Sequence, residues 1–188
     1  MKTKNPAQKI ALLAVFGALA LSLAFLENTL LPDFPLLPPG AKIGLSNIVT
    51  VLCGALFGGG YAWYITALKA LFAFLTRGVT AGLMSLAGGA LSTLALCLLL
   101  KRVDKTVSYL GVGVLCAAAH NLGQLLMSMA LTGSLSLWHY GKYLLLFALC
   151  SGTLTGLVLC VLLPRLKRTT RFSNIFTKKQ NAEQENWR

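Results

Sequence analysis

Acidic side chains are scarce in this sequence of 188 residues, which has only 5 aspartates and glutamates. Charged residues of both signs make up 12% of the chain, whereas 56% of the residues are hydrophobic. A typical soluble domain has about 25% charged residues. So little charge could not cover a surface that faces water, so the composition predicts an integral membrane protein with one compact domain.

The sequence also lacks the motifs of the main enzyme classes. It has no Gly-rich phosphate loop and no paired aspartates of the kind that hold Mg²⁺ on a diphosphate. No Ser or Cys stands beside a convincing base. The 2 histidines and the 5 cysteines, none of them in a CxxC pair, are too few for a typical metal site. We therefore expect no catalysis, no cofactor and no bound metal.

Basic residues, in contrast, are plentiful, and the formal net charge is +12. A large share of the lysines and arginines follows Pro164, and most of the others flank apolar runs. This distribution is typical of membrane topology and of attraction to anionic lipid headgroups. We therefore expect these basic residues to interact with the lipid bilayer and not with nucleic acid.

Apolar runs long enough to cross a ~30 Å hydrocarbon core as helices predict the membrane spans. The predicted spans are 9–31, 43–59, 61–77, 78–100, 106–131 and 142–163, in a membrane domain 1–168 that is followed by a polar basic tail 169–188. The second and third spans come from dividing one stretch at Gly58-Gly59-Gly60, because a single helix over 42–77 would exceed one crossing.

The positive-inside bias favours six spans over five. Six spans place only Lys42, Arg77 and Lys142 outside and leave the other flanking basic residues in the cytoplasm. The sequence thus predicts an all-α bundle of six transmembrane helices in the cell (plasma) membrane of a prokaryote, with both termini cytoplasmic.

Polar side chains within the predicted spans are the candidates for a substrate site, because their burial in a bilayer is costly unless they are paired or solvated. We expect them to lie between the middle and the outer half of the membrane. They are Glu27, Lys42, Asn47, Lys69, Ser85, His120, Asn121 and Gln124. Lys69, near mid-membrane, needs an anion, which could be Glu27 or a negatively charged substrate.

Simpler interpretations of these polar residues remain open. His120 and Gln124 share a helix face and could hydrogen-bond a neighbouring helix. Glu27 and Lys42 could form an ion pair at the outer rim, or Lys42 could extend to the interface.

Small residues recur at spacings of three and four in three of the predicted spans. These strips are Ala7, Ala11, Ala14 and Ala18, then Ser85, Gly88, Gly89 and Ser92, then Gly152 and Gly156. Such strips let helix backbones approach closely. Most should pack inside the bundle, but the strip on the first span could dock a partner protein.

Four motifs in chain order resemble the Gx transporter family, which is also catalogued as heptaprenyl diphosphate synthase component I. They are Glu27, PGAKIGLSNIVT at 39–50, SLAGGALS at 85–92 and HNLGQ at 120–124, within a resemblance over about residues 8–165. Lys69 stands where the family is expected to carry Arg, so that charge is kept but a bidentate grip on carboxylate or phosphate would be lost.

The resemblance implies a six-helix fold similar to the substrate-binding (S) components of energy-coupling-factor vitamin transporters. In those proteins the ligand lies toward the outer face. The alanine strip of the first span docks a transmembrane coupling subunit that separate ATPases drive.

Three functions follow from these expectations. The first is a membrane transport subunit that binds a small anionic or polar solute from the outer side. The second is a non-catalytic membrane subunit for heptaprenyl diphosphate or quinone synthesis, or for a linked redox system, with a soluble prenyl diphosphate synthase as partner. The third is a membrane scaffold. The missing acidic metal-binding motifs argue against synthase activity in this chain.

Overall fold

The computed structural model describes residues 6–30, 44–101 and 107–168, and the side chains of 10–30, 44–101 and 107–166. These parts of the chain are mainly helical. The helices are α1 (Pro6–Leu30), α2 (Asn47–Phe57), α3 (Gly59–Arg77), α4 (Val79–Leu100), α5 (Tyr109–Thr132), the 3-10 helix η1 (Leu135–Tyr140) and α6 (Gly141–Arg168). Lys42 and the predicted tail 169–188 lie outside the described residues.

The helical segments that are long and apolar enough to cross a membrane number 4 among the described residues. They are Ile10–Leu30, Val79–Leu100, Tyr109–Thr132 and Leu135–Leu166. With 11 residues, α2 is only about 17 Å long, and α3 is not among the four. The chain is therefore a membrane protein that is helical throughout the part that the structure describes, while crossings by α2 and α3 and the orientation of the termini stay predictions.

Single glycines connect α2 to α3 and α3 to α4. Gly58 has a φ of 102° and Gly78 a φ of 88°, values that a residue without a Cβ atom adopts readily. The sequence predicts a turn at Gly58-Gly59-Gly60, and the structure turns at Gly58 and places Gly59 and Gly60 in α3. The result is two antiparallel helix pairs that share α3.

The short helix α2 occupies the centre of the bundle and contacts every other α-helix in the described part of the chain. Val51, Leu52 and Leu56 of α2 join one apolar cluster with Leu96 of α4 and Leu159 of α6. A second cluster packs Val49 and Cys53 of α2 against Ala20 of α1 and Ile65 of α3. Because α2 is enclosed by longer helices, its apolar side chains serve the protein core.

The small residues of α5 and α6 allow these two helices to touch through their backbones. A Cβ atom on Gly113 would lie 2.4 Å from the carbonyl oxygen of Gly152 and from the amide nitrogen of Gly156. On α4, a Cβ atom on Gly89 would lie 2.6 Å from Cγ2 of Thr66. These contacts show internal packing at the predicted small-residue strips of α4 and α6.

Candidate functional site

A small polar cavity lies at the end of the bundle where α1 and α3 end and α2 and α4 begin. We call this the cationic cavity. It is lined by Ala24, Gly44, Ser46, Lys69, Phe72, Ala73, Arg77, Ala81, Ser85, His120 and Gln124. Its volume of about 20 Å³ is roughly what one water molecule needs. The cavity therefore accommodates a single small group, not a whole metabolite.

Lys69 is 6% exposed and is held by two side chains of α2. Its Nζ donates to Oδ1 of Asn47 over 2.8 Å and to Oγ1 of Thr50 over 3.4 Å. Both of these acceptors are uncharged oxygen atoms that orient the ammonium group. The two hydrogen bonds thus hold the end of the lysine side chain against α2 at the wall of the cationic cavity.

Arg77 is the second cation of the cavity. Lys69, Ala73 and Arg77 all line it, and residues four apart share one face of a helix. Among the described residues, no carboxylate lines this cavity. The sequence analysis places Arg77 at the outer end of the predicted span 61–77 but not among the site residues, and the structure makes it the last residue of α3. The spacing from Lys69 was the signal that could have identified it.

His120 and Gln124 bring hydrogen-bonding groups from α5. The Nε2 atoms of the two side chains are 3.1 Å apart, so they bond to each other within the helix, and both side chains are buried. Gly88 of α4 makes room for them, because a Cβ atom there would lie 2.8 Å from the carbonyl oxygen of His120. Close packing of α4 and α5 thereby sets the position of both groups.

Glu27 is 2% exposed and ties the end of α1 to the start of α2. Its Oε1 accepts a hydrogen bond from the backbone N–H of Gly44 over 2.6 Å, and Oε2 has no hydrogen-bond partner among the described residues. Gly44, with a φ of 94°, adopts the left-handed backbone that glycine favours and lines the cavity. Glu27 therefore does not line the cavity itself, but its hydrogen bond holds Gly44, which does.

Most of the predicted site residues come together at this cavity. Lys69, Ser85, His120 and Gln124 line it, while Asn47 and Glu27 bond to residues that line it. The sequence missed Ser46, Gly44 and Arg77, and the predicted site residue Lys42 lies outside the described part of the chain.

The predicted site residue Asn121 does not line the cationic cavity. Its Nδ2 donates to the carbonyl oxygen of Leu144 on α6 over 2.7 Å. Adjacent helical residues are rotated by about 100° around the axis. Because one face of α5 places His120 and Gln124 at the cavity, the adjacent Asn121 points toward α6.

The described alanines of the α1 strip face away from the bundle. Ala11, Ala14 and Ala18 are exposed, and the buried alanines of this helix are Ala20 and Ala24. The side chain of Ala7 lies outside the described set. The exposed strip is thus available for contact with lipid or with another helix.

Comparison with known proteins yields one family match. The model of the family described as heptaprenyl diphosphate synthase component I matches residues 16–162. No curated protein and no solved structure shows significant similarity to the chain. The match confirms the resemblance to the family under that catalogued description, while the likeness to S components stays a prediction. Because the match covers more than half of the chain, the chain belongs to the heptaprenyl diphosphate synthase component I family.

Proposed function

We propose that this chain is a solute-binding subunit of a membrane transport system and that it holds an anionic group of its solute in the cationic cavity. The observation that carries the proposal is the pair of cations, Lys69 and Arg77, in a lining without a carboxylate among the described residues. Two cationic side chains in one lining create a positive potential that attracts a negatively charged group. This charge pattern supports an anionic substrate over a neutral one.

The size of the cavity limits which part of the substrate can enter it. A volume of about 20 Å³ admits one terminal group, such as a carboxylate, when side chains at the rim adjust. Lys69 supplies the charge, and His120 and Gln124 supply hydrogen-bonding nitrogens next to it. The remainder of the solute then lies beyond the cavity, on the side of Arg77.

The predicted topology assigns this cavity to the outer side. With six crossings and cytoplasmic termini, the end of the bundle where α3 passes into α4 faces outward, and solute enters from there. The exposed alanine strip of α1 supports contact with a transmembrane coupling subunit, because small residues allow close helix approach. Separate ATPases then provide the energy, as the chain has no phosphate loop of its own.

The test of the solute site is mass spectrometry of small molecules released from the purified, detergent-solubilised protein. We expect an anionic compound from the wild type and its loss from Lys69→Gln and Arg77→Gln. Lys101→Gln is the matched control, since Lys101 is exposed at the opposite end of α4. Retention of the same compound by Lys69→Gln would refute the site.

The family description supports a second candidate function. It names a synthase component, so the chain could be a non-catalytic membrane subunit that binds a soluble prenyl diphosphate synthase. Co-purification separates the two candidates. Coupling and ATPase subunits support transport, and Ala14→Trp should then reduce their recovery while Leu94→Trp, at an exposed position of α4, should not. Recovery of a prenyl synthase instead supports the second function.

A further inference from the structure

A second, much larger cavity lies on the side of the bundle between α5, η1 and α6. We call it the η1 groove. Its volume is about 670 Å³, within the range of about 300–1,000 Å³ that is usual for ligand sites. It shares no lining residue with the cationic cavity.

The walls of the η1 groove are apolar and open toward the surrounding lipid. Leu115 and Leu122 of α5 and Leu145 of α6 line it and are about half exposed. On α5 the lining extends from Leu115 to Leu125, which is about 15 Å of helix. This length equals about half of a ~30 Å hydrocarbon core. The groove therefore matches the depth of one leaflet, and its occupant arrives sideways from the bilayer.

One end of the groove is cationic. Trp138 and His139 of η1 and Lys142 of α6 line it there, and Nζ of Lys142 lies 5.0 Å from the ring centroid of Tyr143. Tryptophan is enriched at the headgroup level of membranes, and lysine there attracts anionic lipids. No carboxylate is among the lining residues that the structure describes. This end is complementary to an anionic headgroup.

Asn121 adds a buried acceptor to the wall of the groove. The side chain lines the groove and is 2% exposed, and its Oδ1 has no hydrogen-bond partner among the described residues. A buried oxygen without a partner is unfavourable by about 1–3 kcal/mol. Because Asn121 bonds to Leu144, two positions after Lys142, this acceptor lies next to the cationic end. A hydroxyl group of the occupant would satisfy it.

We propose that the η1 groove binds one chain of an anionic glycerophospholipid with a hydroxylated headgroup, of the phosphatidylglycerol type. The acyl chain packs along Leu115 and Leu122, and the phosphate lies at Lys142 and His139. The headgroup or interfacial hydroxyl reaches Asn121. This lipid site is separate from the cationic cavity and does not depend on the proposed transport function.

The fluorescence of Trp138 can measure lipid binding in the η1 groove. This residue is 60% exposed at the groove, and replacing Trp63 and Trp187 by Phe leaves it as the sole tryptophan. The protein is reconstituted in vesicles of phosphatidylcholine that contain a small fraction of lipid with brominated chains. Brominated phosphatidylglycerol should give half-maximal quenching of Trp138 fluorescence at about a fivefold lower mole fraction than brominated phosphatidylcholine.

Two pairs of variants assign this preference to the groove. Lys142→Gln should abolish the difference between the two lipids, whereas Lys101→Gln should keep it. Ala118→Phe, which places a ring on a lining residue, should reduce quenching by either lipid, whereas Leu98→Phe on the exposed surface of α4 should not.

Three results would overturn the proposal. Equal quenching by both lipids in the wild type would mean that only the general lipid shell contacts Trp138. An unchanged preference in Lys142→Gln would place the anionic lipid elsewhere. Release of the quenching by an added prenyl diphosphate at a low mole fraction would identify an isoprenoid ligand instead.

Discussion

Lys69 of α3 and Asn47 of α2 are equally distant in sequence from the Gly58 turn, and Nζ of the lysine donates to Oδ1 of the asparagine over 2.8 Å. The antiparallel arrangement of the two helices thus brings a buried cation and a neutral acceptor together. Because the acceptor is an amide and not a carboxylate, this bond orients the ammonium group without adding a negative charge. This relationship connects the fold of the α2–α3 pair to the proposed anion site.

The first prediction tests that role of the amide. Asn47→Asp should place a carboxylate next to Lys69 and form an internal ion pair. We expect retention of the anionic compound to fall about tenfold or more, because charge-assisted hydrogen bonds contribute about 1.5–3 kcal/mol. Quantitative mass spectrometry of the released compound measures this. The thermal midpoint of unfolding should not fall, so that lower retention reflects the new ion pair and not misfolding. Full retention of the anionic compound would contradict the prediction.

A second prediction concerns Gly44, which joins Glu27 to the cavity. Gly44→Ala should lower the free energy of unfolding by about 1 kcal/mol or more, because alanine is strained at a φ of 94°. The new Cβ atom would also lie 3.1 Å from Nδ2 of Asn47, so retention of the anionic compound should decrease.

Gly60→Ala is the control for this measurement, since Gly60 lies in α3 with no atom within 4 Å of an added Cβ atom. It should leave stability unchanged or raise it. Thermal unfolding in detergent compares both variants with the wild type, and equal midpoints for Gly44→Ala and Gly60→Ala would argue against strain at Gly44.

The hydroxyl groups of Thr66 and Thr93 allow a third prediction about the contact between α3 and α4. Their oxygen atoms are 2.8 Å apart and both side chains are buried. Interhelical hydrogen bonds of this kind contribute about 0.6 kcal/mol in membrane proteins, and up to about 1.7. A double-mutant cycle with Thr66→Val and Thr93→Val should give a coupling energy in this range. Additive effects of the two substitutions would show that the pair is not coupled.

The fourth prediction tests the crossings by α2 and α3. In a variant without native cysteines, Ser136→Cys in η1 should react with a membrane-impermeant maleimide in intact cells. Gly60→Cys and Ser173→Cys should react only after the membrane is permeabilised, because six crossings place both in the cytoplasm.

The short α2 makes Gly60 the informative position in that experiment. If α2 and α3 entered and left the bilayer on one side, Gly60→Cys would lie within the hydrocarbon and would stay unlabelled even after permeabilisation. Labelling of Ser173→Cys in intact cells would reverse the predicted orientation of the C terminus.

Sequence reasoning named several residues that line the cationic cavity, because the signals that mark them are local. Lys69, His120 and Gln124 are polar residues in apolar runs, and the cost of burying such groups marks them without knowledge of their neighbours. Arg77 was misjudged because it ends a helix, where a cation normally faces water. Asn121 was grouped with His120 because they are adjacent in sequence, although one step along a helix turns a side chain toward a different neighbour.

The sequence by itself determined that this chain is a helical membrane protein, because charge content and the length of apolar runs decide which solvent a segment can face. It also indicated the end of the bundle at which polar groups gather. Only the tertiary structure decided that α2 is the central helix, that Lys69 and Arg77 share one small cavity, and that α5, η1 and α6 enclose a groove. Those features depend on which helix faces meet, and that is set by packing between residues far apart in the chain.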